Sequence, residues 1–137
     1  MQEKIITLIK EHPELFNMEF KNNSADDGSI ANAEKALGLK FNDQFIWFLK
    51  NGISGNRLYG KPENCVAVTN RARKKGLPLN LLAIKHSGEY EEACLICIDT
   101  ETGKVIEYFF VDDDEVEVTE KSADFYSYYY DFLNDYI

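Results

Sequence analysis

Residues 29–55, SIANAEKALGLKFNDQFIWFLKNGISG, form the densest apolar block of the chain and predict two short amphipathic helices. Three apolar residues recur at helical spacing on the first helix: Ile30, Ala33 and Leu37. We expect Ser29 to cap the amino end of this helix and Gly38 to end it in a left-handed conformation. The block should therefore lie in the core.

The second helix of this block carries aromatic residues. One face of it presents Phe45, Phe48 and Leu49. Either Asn42 or Asp43 can accept a hydrogen bond from a free amide of the first turn, and so both are candidates for the amino-terminal cap. Packing residues of this kind predict structure, and they name no reaction.

The size and composition are those of one domain that needs no disulfide. The chain has 137 residues, of which 45% are hydrophobic. It contains no apolar run near the ~20 residues that a membrane helix needs, and its first residues do not resemble a signal peptide. An odd count of three cysteines suits a reducing compartment. We therefore expect a cytoplasmic protein that does not bind membranes.

The net charge of −9 is unevenly distributed along the chain. Residues 99–137 contain 12 acidic and 2 basic side chains, whereas residues 1–98 are close to neutral. An acidic pole repels phosphate, so nucleic-acid binding is disfavoured, and it attracts basic proteins. The alternative is that the acidic residues only keep the domain soluble.

The order of the elements predicts an α+β fold. Helices are expected over residues 3–11, 66–75 and 122–136 besides the central pair, and strands over residues 81–84, 93–99, 105–111 and 115–119. We expect Ser122 to cap the last helix, and Val116 and Val118 to point inward. Residues 1–137 then form a single domain with a mainly antiparallel sheet, flanked by N-terminal helices and one C-terminal helix.

Few residues suggest catalysis or metal binding. Cys94 and Cys97 fall on one predicted strand, where residues three apart point to opposite faces and cannot share a metal ion. His12 and His86 have no recognisable partners in the sequence, and a dispersed catalytic set stays open because such partners need not be neighbours. We predict no catalytic residues, no metal and no cofactor.

The candidate binding residues are acidic turns and exposed aromatics. One acidic group lies in the predicted turn before the second strand, and another follows the third strand. Five tyrosines crowd the last helix, more than one buried face accepts, so some should anchor a protein interface. The candidates are Glu89, Glu91, Glu92, Asp112, Asp113, Asp114, Tyr126 and Tyr130.

An ordered set of motifs resembles the SUKH superfamily, the cell-wall-assembly-regulator-like (Smi/Knr) domains of bacteria and fungi. The central block reads Ile30-x-x-Ala33-Glu34-x-x-Leu37-Gly38-Leu39-x-Phe41-x-x-x-Phe45-x-x-Phe48-Leu49-x-Asn51-Gly52. It is followed by Gly88-Glu89-Tyr90, Ile98-Asp99-Thr100, Gly103-x-Val105 and a closing helix from Ser122 to Leu133. The resemblance covers about residues 28–136, in the same order.

The resemblance implies a non-enzymatic α+β binding domain. Many bacterial relatives look like immunity proteins, which neutralise a nuclease or deaminase toxin by direct binding, and such toxins are frequently basic. The leading hypothesis is therefore an immunity protein, and the alternative is a regulatory scaffold that binds a cellular protein. A small hydrolase would instead need a deep pocket with converging polar groups.

Overall fold

A computed structural model describes residues 1–13, 25–51, 58–87 and 91–135. Its elements in chain order are α1 (Gln2–Glu11), α2 (Asp27–Leu37), α3 (Asp43–Lys50), α4 (Pro62–Arg73), β1 (Leu81–His86), a short 3-10 helix (Glu91–Ala93), β2 (Cys94–Asp99), β3 (Val105–Phe110), β4 (Val116–Ser122) and α5 (Phe125–Asn134). Helices precede the strands, and one helix closes the chain, as the sequence predicts.

The four strands form an antiparallel meander in the order β1-β2-β3-β4. Together with the helices, the sheet confirms the predicted α+β class. Strand β3 is an inner strand, as its apolar sequence indicates, and β4 is an edge strand among the residues that the structure describes. The β3–β4 pairing is regular from Phe110↔Val116 to Ile106↔Glu120, and a bulge then leaves Lys121 as the extra residue before Val105↔Ser122.

The central helices end and begin largely where the sequence predicts. Gly38 has φ 67°, which ends α2 in the left-handed region. The side chain of Asn42 accepts hydrogen bonds from two amides of the first turn of α3. The expected Ser29 cap of α2 is wrong, because Asp26 caps the helix and its carboxylate accepts from the Ser29 amide at 2.7 Å.

The boundaries of α4 and α5 also differ from the sequence prediction. Helix α4 begins at Pro62 instead of Val66, since a proline at the first helical position has no amide to leave unpaired. Helix α5 is capped by Asp124, which accepts from the Ser127 amide at 2.8 Å, and not by Ser122. Ser122 still belongs to β4 and cannot serve as the cap.

The larger core cluster joins α1, α2, α3 and α5 to one face of the sheet. Its strand residues are Leu82, Ile84, Ile96, Ile98 and Val105. Aromatic rings join α3 to α5 within this cluster. The Phe45 and Phe125 ring centroids lie 5.3 Å apart in an edge-to-face arrangement, and Phe48 contacts Tyr129 at the same distance.

The opposite face of the sheet is only partly covered. Val68 and Ala72 of α4 pack there on alternate residues of the first three strands, Leu81, Ala83, Leu95, Cys97 and Tyr108. No described element covers β4 in this way, and Val116 is 42% exposed and Val118 is 57% exposed. The prediction that these two valines point into the core is therefore wrong.

Two further expectations concern thiols and membranes. Cys65, Cys94 and Cys97 are buried free thiols. Cys97 lies in the cluster under α4, whereas Cys94 belongs to the other face of β2, as the strand alternation predicts.

In the described part of the chain, no helix has the length and apolar character required to cross a bilayer.

We expect Phe45→Ala to lower the free energy of unfolding by about 3–5 kcal/mol, because removing this fully buried ring leaves a cavity between α3 and α5. Urea denaturation followed by far-ultraviolet circular dichroism measures the change. Leu79→Ala is the control, since Leu79 is 74% exposed and its truncation should change stability by less than about 0.5 kcal/mol. Equal losses in both variants would contradict this account of the core.

Candidate partner-binding surface

The described members of the two predicted acidic groups lie at the same end of the sheet. Glu92 immediately precedes β2, and Asp112 follows β3 after one residue. Because Cys94 pairs with Phe109, the start of β2 lies beside the end of β3. Adjacent strands are about 4.8 Å apart, so Glu92 and the aspartate turn are neighbours. The meander thus brings together residues that are 20 positions apart in the sequence.

Glu92 is held by a basic residue of α4. Its carboxylate accepts a hydrogen bond from Nε of Arg71 at 2.7 Å. Burial, and then the Glu92 charge, raise the pKa of Tyr59 to about 12. Glu89 lies outside the described residues, and so does the side chain of Glu91. Of this group, the structure therefore places only the Glu92 carboxylate, which is partly neutralised by its partner.

The turn between β3 and β4 is fully exposed. Asp112, Asp113 and Asp114 are all solvent-exposed. The Asp112 carboxylate accepts from the Asp114 amide at 2.8 Å, which shapes the turn. The backbone of the turn is closed by the Val111 amide, which donates to the Glu115 carbonyl oxygen at 3.0 Å. Three carboxylates therefore project into solvent from a short, ordered turn.

The acidic character continues along β4. We call residues 112–122 the acidic edge. Within it, residues 112–121 are all solvent-exposed, and they contain 6 acidic and 1 basic side chains. The ion pair between Lys104 and Glu120, at 2.9 Å, reduces the negative charge at its carboxyl end, where the edge also contributes the cation Lys121. The amino-terminal half, around the aspartate turn, is therefore the more negative part.

The two candidate tyrosines lie on α5, a helix that begins far from the aspartate turn. Helix α5 follows the carboxyl end of β4, which is the opposite end of the sheet from residues 112–114. Both Tyr126 and Tyr130 are half-buried and pack against the larger core cluster. The Tyr126 ring meets Trp47 edge to face at 5.4 Å, and its hydroxyl accepts from Gln2 at 2.6 Å. Their role in partner binding stays a prediction.

A polar cleft of about 300 Å³ lies between the sheet and α5. Its lining includes Lys85, Ser87, Glu107, Lys121, Tyr128, Asp131, Phe132 and Asp135. These groups interact with one another: Ser87 donates to Glu107 at 3.1 Å, and the buried Lys85 ammonium lies 4.3 Å from the centre of the Phe132 ring. Within the cleft, Glu107 also lies 3.9 Å from the Lys121 ammonium, so Lys85, Glu107 and Lys121 each contact another residue of the protein.

Two described side chains of types that often act in catalysis are Cys94 and His86. Burial, and then the nearby Glu107 carboxylate, raise the pKa of the Cys94 thiol. A nucleophilic cysteine needs the opposite shift, because the thiolate is the reactive form. His86 lies 3.4 Å from the Tyr59 hydroxyl. Among the described residues, no group of three histidine, cysteine or carboxylate side chains could hold a metal ion.

Sequence reasoning missed the strand part of the acidic edge. Glu115, Glu117 and Glu120 belong to it, although only the preceding aspartates were candidates. The signal was present in the alternation of β4, whose two valines share one face. The sequence predicts that this face lies in the core, because it does not show that α4 ends before it reaches β4.

Comparison with known proteins identifies one family. The family model SUKH_5, described as SMI1-KNR4 cell-wall, matches residues 2–134. The matched range contains every helix and strand described above and both acidic turns. No curated protein matches the chain.

We expect Tyr126→Ala to destabilise the isolated chain by about 1–3 kcal/mol, because it removes the ring contact with Trp47 and the hydrogen bond from Gln2. Trp47 is the only tryptophan, so its fluorescence during urea denaturation reports the change directly. The matched comparison is Asp112→Asn/Asp113→Asn/Asp114→Asn, which should change stability by less than about 0.5 kcal/mol. An unaffected Tyr126→Ala variant would mean that the ring is free to bind a partner.

Proposed function

Because the chain belongs to the SMI1-KNR4 (SUKH) family, we propose that it is a non-enzymatic immunity protein that neutralises a basic toxin of the nuclease or deaminase class. It acts in the cytoplasm by stoichiometric binding that blocks the active site or substrate groove of the toxin. It uses no cofactor, and its partner is a protein rather than nucleic acid or membrane.

The observation that carries this proposal is the acidic edge. Its charges are concentrated in an exposed turn and strand at one side of the sheet, whereas residues 1–98 are nearly neutral overall. A toxin that acts on nucleic acid needs a basic groove for phosphate, and an acidic surface can occupy such a groove. The sign and the clustering of the charge therefore match this partner class.

The partner-binding residues are centred on the aspartate turn. We assign the first contact to Asp112, Asp113 and Asp114, and the adjoining contact to Glu92 with its neighbours Glu89 and Glu91. Exposed carboxylates mainly accelerate the encounter, while the apolar residues beside them provide lasting affinity. Tyr126 and Tyr130 remain proposed flanking anchors.

The polar cleft beneath α5 supports binding over catalysis. Its Glu107 carboxylate and Lys121 ammonium already interact with protein groups, and the pKa of the nearby Cys94 thiol is raised. Catalytic acids and bases are usually held with perturbed pKa values and reach an open position for substrate. The cleft is accordingly proposed to serve the packing of α5 on the sheet.

A second candidate is a regulatory scaffold for a cellular protein. It is favoured by the description of the matching family, which refers to the cell wall. The two candidates are separated by the neighbouring gene. If that gene encodes a toxin, co-expression with this chain should restore growth of the host and the two proteins should co-purify as a stoichiometric complex. A neighbouring toxin that binds the chain without losing its toxicity would contradict the immunity role.

We expect Asp112→Asn/Asp113→Asn/Asp114→Asn to slow association with the toxin by about tenfold at low salt, since these charges steer the encounter. Stopped-flow fluorescence measures the association rate constant, and the difference from the parent chain should shrink as salt is added. Asparagine keeps the side-chain acceptor that shapes the turn.

The matched control removes the same number of charges elsewhere. Glu3, Glu11 and Glu101 are exposed, and Glu101 lies in the β2–β3 turn at the other end of the sheet. Their combined replacement by Gln should leave the association rate almost unchanged. If both triple variants slow association equally, net charge rather than this surface is responsible, and the assignment of the site fails.

A further inference from the structure

We propose that the partner adds an extended basic segment to the outer side of β4, as a fifth strand of the sheet. This inference rests on the proposed function, because it states how the partner is held after the encounter. It assigns the lasting contact to backbone hydrogen bonds along Val116–Glu120, in addition to the acidic turns.

The register shows which residues of β4 are already used by β3. The Val111 amide donates to the Glu115 carbonyl oxygen, which makes this pair a hydrogen-bonded position of the ladder. Such positions alternate with non-hydrogen-bonded ones along antiparallel strands. In the observed pairing, Glu117 and Thr119 therefore direct their backbone groups toward β3.

The intervening residues direct their backbone groups away from the sheet. These residues are Val116, Val118 and Glu120. Within the ranges that the structure describes, β4 is the last strand of the sheet. Its outer side therefore presents a regular row of amides and carbonyl groups spaced for an added strand.

Within the described residues, most of β4 lacks proline, lysine and a bulge, three common protections against strand addition, while its glutamates supply charge. Natural edge strands are commonly blocked by proline, by lysine or by a bulge. Here Lys121 and the bulge lie together at the carboxyl end of β4, whereas the run Val116–Glu120 has regular pairing and contains neither proline nor lysine. The outward backbone groups of Val116–Glu120 can therefore pair with an added strand.

An apolar strip lies beside the open backbone. Val116 and Val118 face the same side of the sheet as Ile106 and Phe110, which are themselves only half-buried. Helix α4 packs on this side of the sheet but leaves both valines exposed. Alternate side chains of an added strand would cover this strip, and burial of apolar area would stabilise the complex.

The charge of the edge determines what can occupy it. A second copy of the chain would bring two negative edges together, which is unfavourable because like charges repel across paired strands. A strand with lysine or arginine would instead face Glu117 and approach the aspartate turn. The acidic edge therefore selects against self-pairing and in favour of a basic partner.

The direct test uses nuclear magnetic resonance of the labelled chain with a short peptide in which lysine and valine alternate. At about 1 mM peptide, the amides of Val116, Val118 and Glu120 should shift and become protected from hydrogen exchange. The Glu117 and Thr119 amides should show smaller changes in protection, because β3 already protects them. The same peptide with glutamate in place of lysine should not bind.

The variant test uses the cognate toxin. Val118→Pro removes one outward amide without breaking the ladder, and it should weaken toxin binding at least about tenfold. Val118→Thr keeps the amide and should bind within about threefold of the parent, with a matched melting temperature as the check on folding.

Three results would overturn this inference. They are peptide-induced shifts confined to residues 112–114, concentration-dependent dimerisation through β4 without peptide, and unchanged toxin affinity in a folded Val118→Pro variant. In the first and third cases neutralisation of the toxin would persist, so the proposed function would stand while strand addition failed.

Discussion

The ring packing between α3 and α5 is the constraint on which the rest of the structure depends. Phe45 and Phe48 contact Phe125 and Tyr129, all nearly or fully buried, and this contact fixes the last helix across one face of the sheet. The four rings remove large apolar areas from water and meet mostly edge to face, which aromatic quadrupoles favour. With α5 fixed there and α4 on the other face, the helices cover β1 and β2 well and leave β4 at the margin.

The sequence predicted this arrangement well because its strongest signals were packing signals. Helix α3 was predicted from Phe45, Phe48 and Leu49, and its cap from Asn42, since a local pattern determines both features. The caps of α2 and α5 were placed wrongly for a shared reason. In each case two capable residues lie within three positions, and the path of the preceding chain decides which side chain meets the free amide.

The candidate site was predicted only in part, for a different physical reason. A meander alternates its hairpin turns between the two ends of a sheet, so the strand pattern could have predicted that Glu92 lies near the aspartate turn. Alternation along β4 showed that Val116 and Val118 share a face, but it does not show whether a helix covers that face. Coverage depends on the length and position of α4, which is a long-range property.

Separation of the folding residues from the proposed binding residues would make family membership and the choice of partner independent. The residues that resemble the family are mostly core positions such as Leu37 and Phe45, where substitution opens a cavity. The acidic edge consists of exposed side chains on a strand that the rest of the fold needs only for its pairing with β3. Because exposed substitutions there cost little stability, the same scaffold can carry edges of different charge. Recognition by backbone groups would then supply the common docking mode, while the side chains of the edge would select the partner.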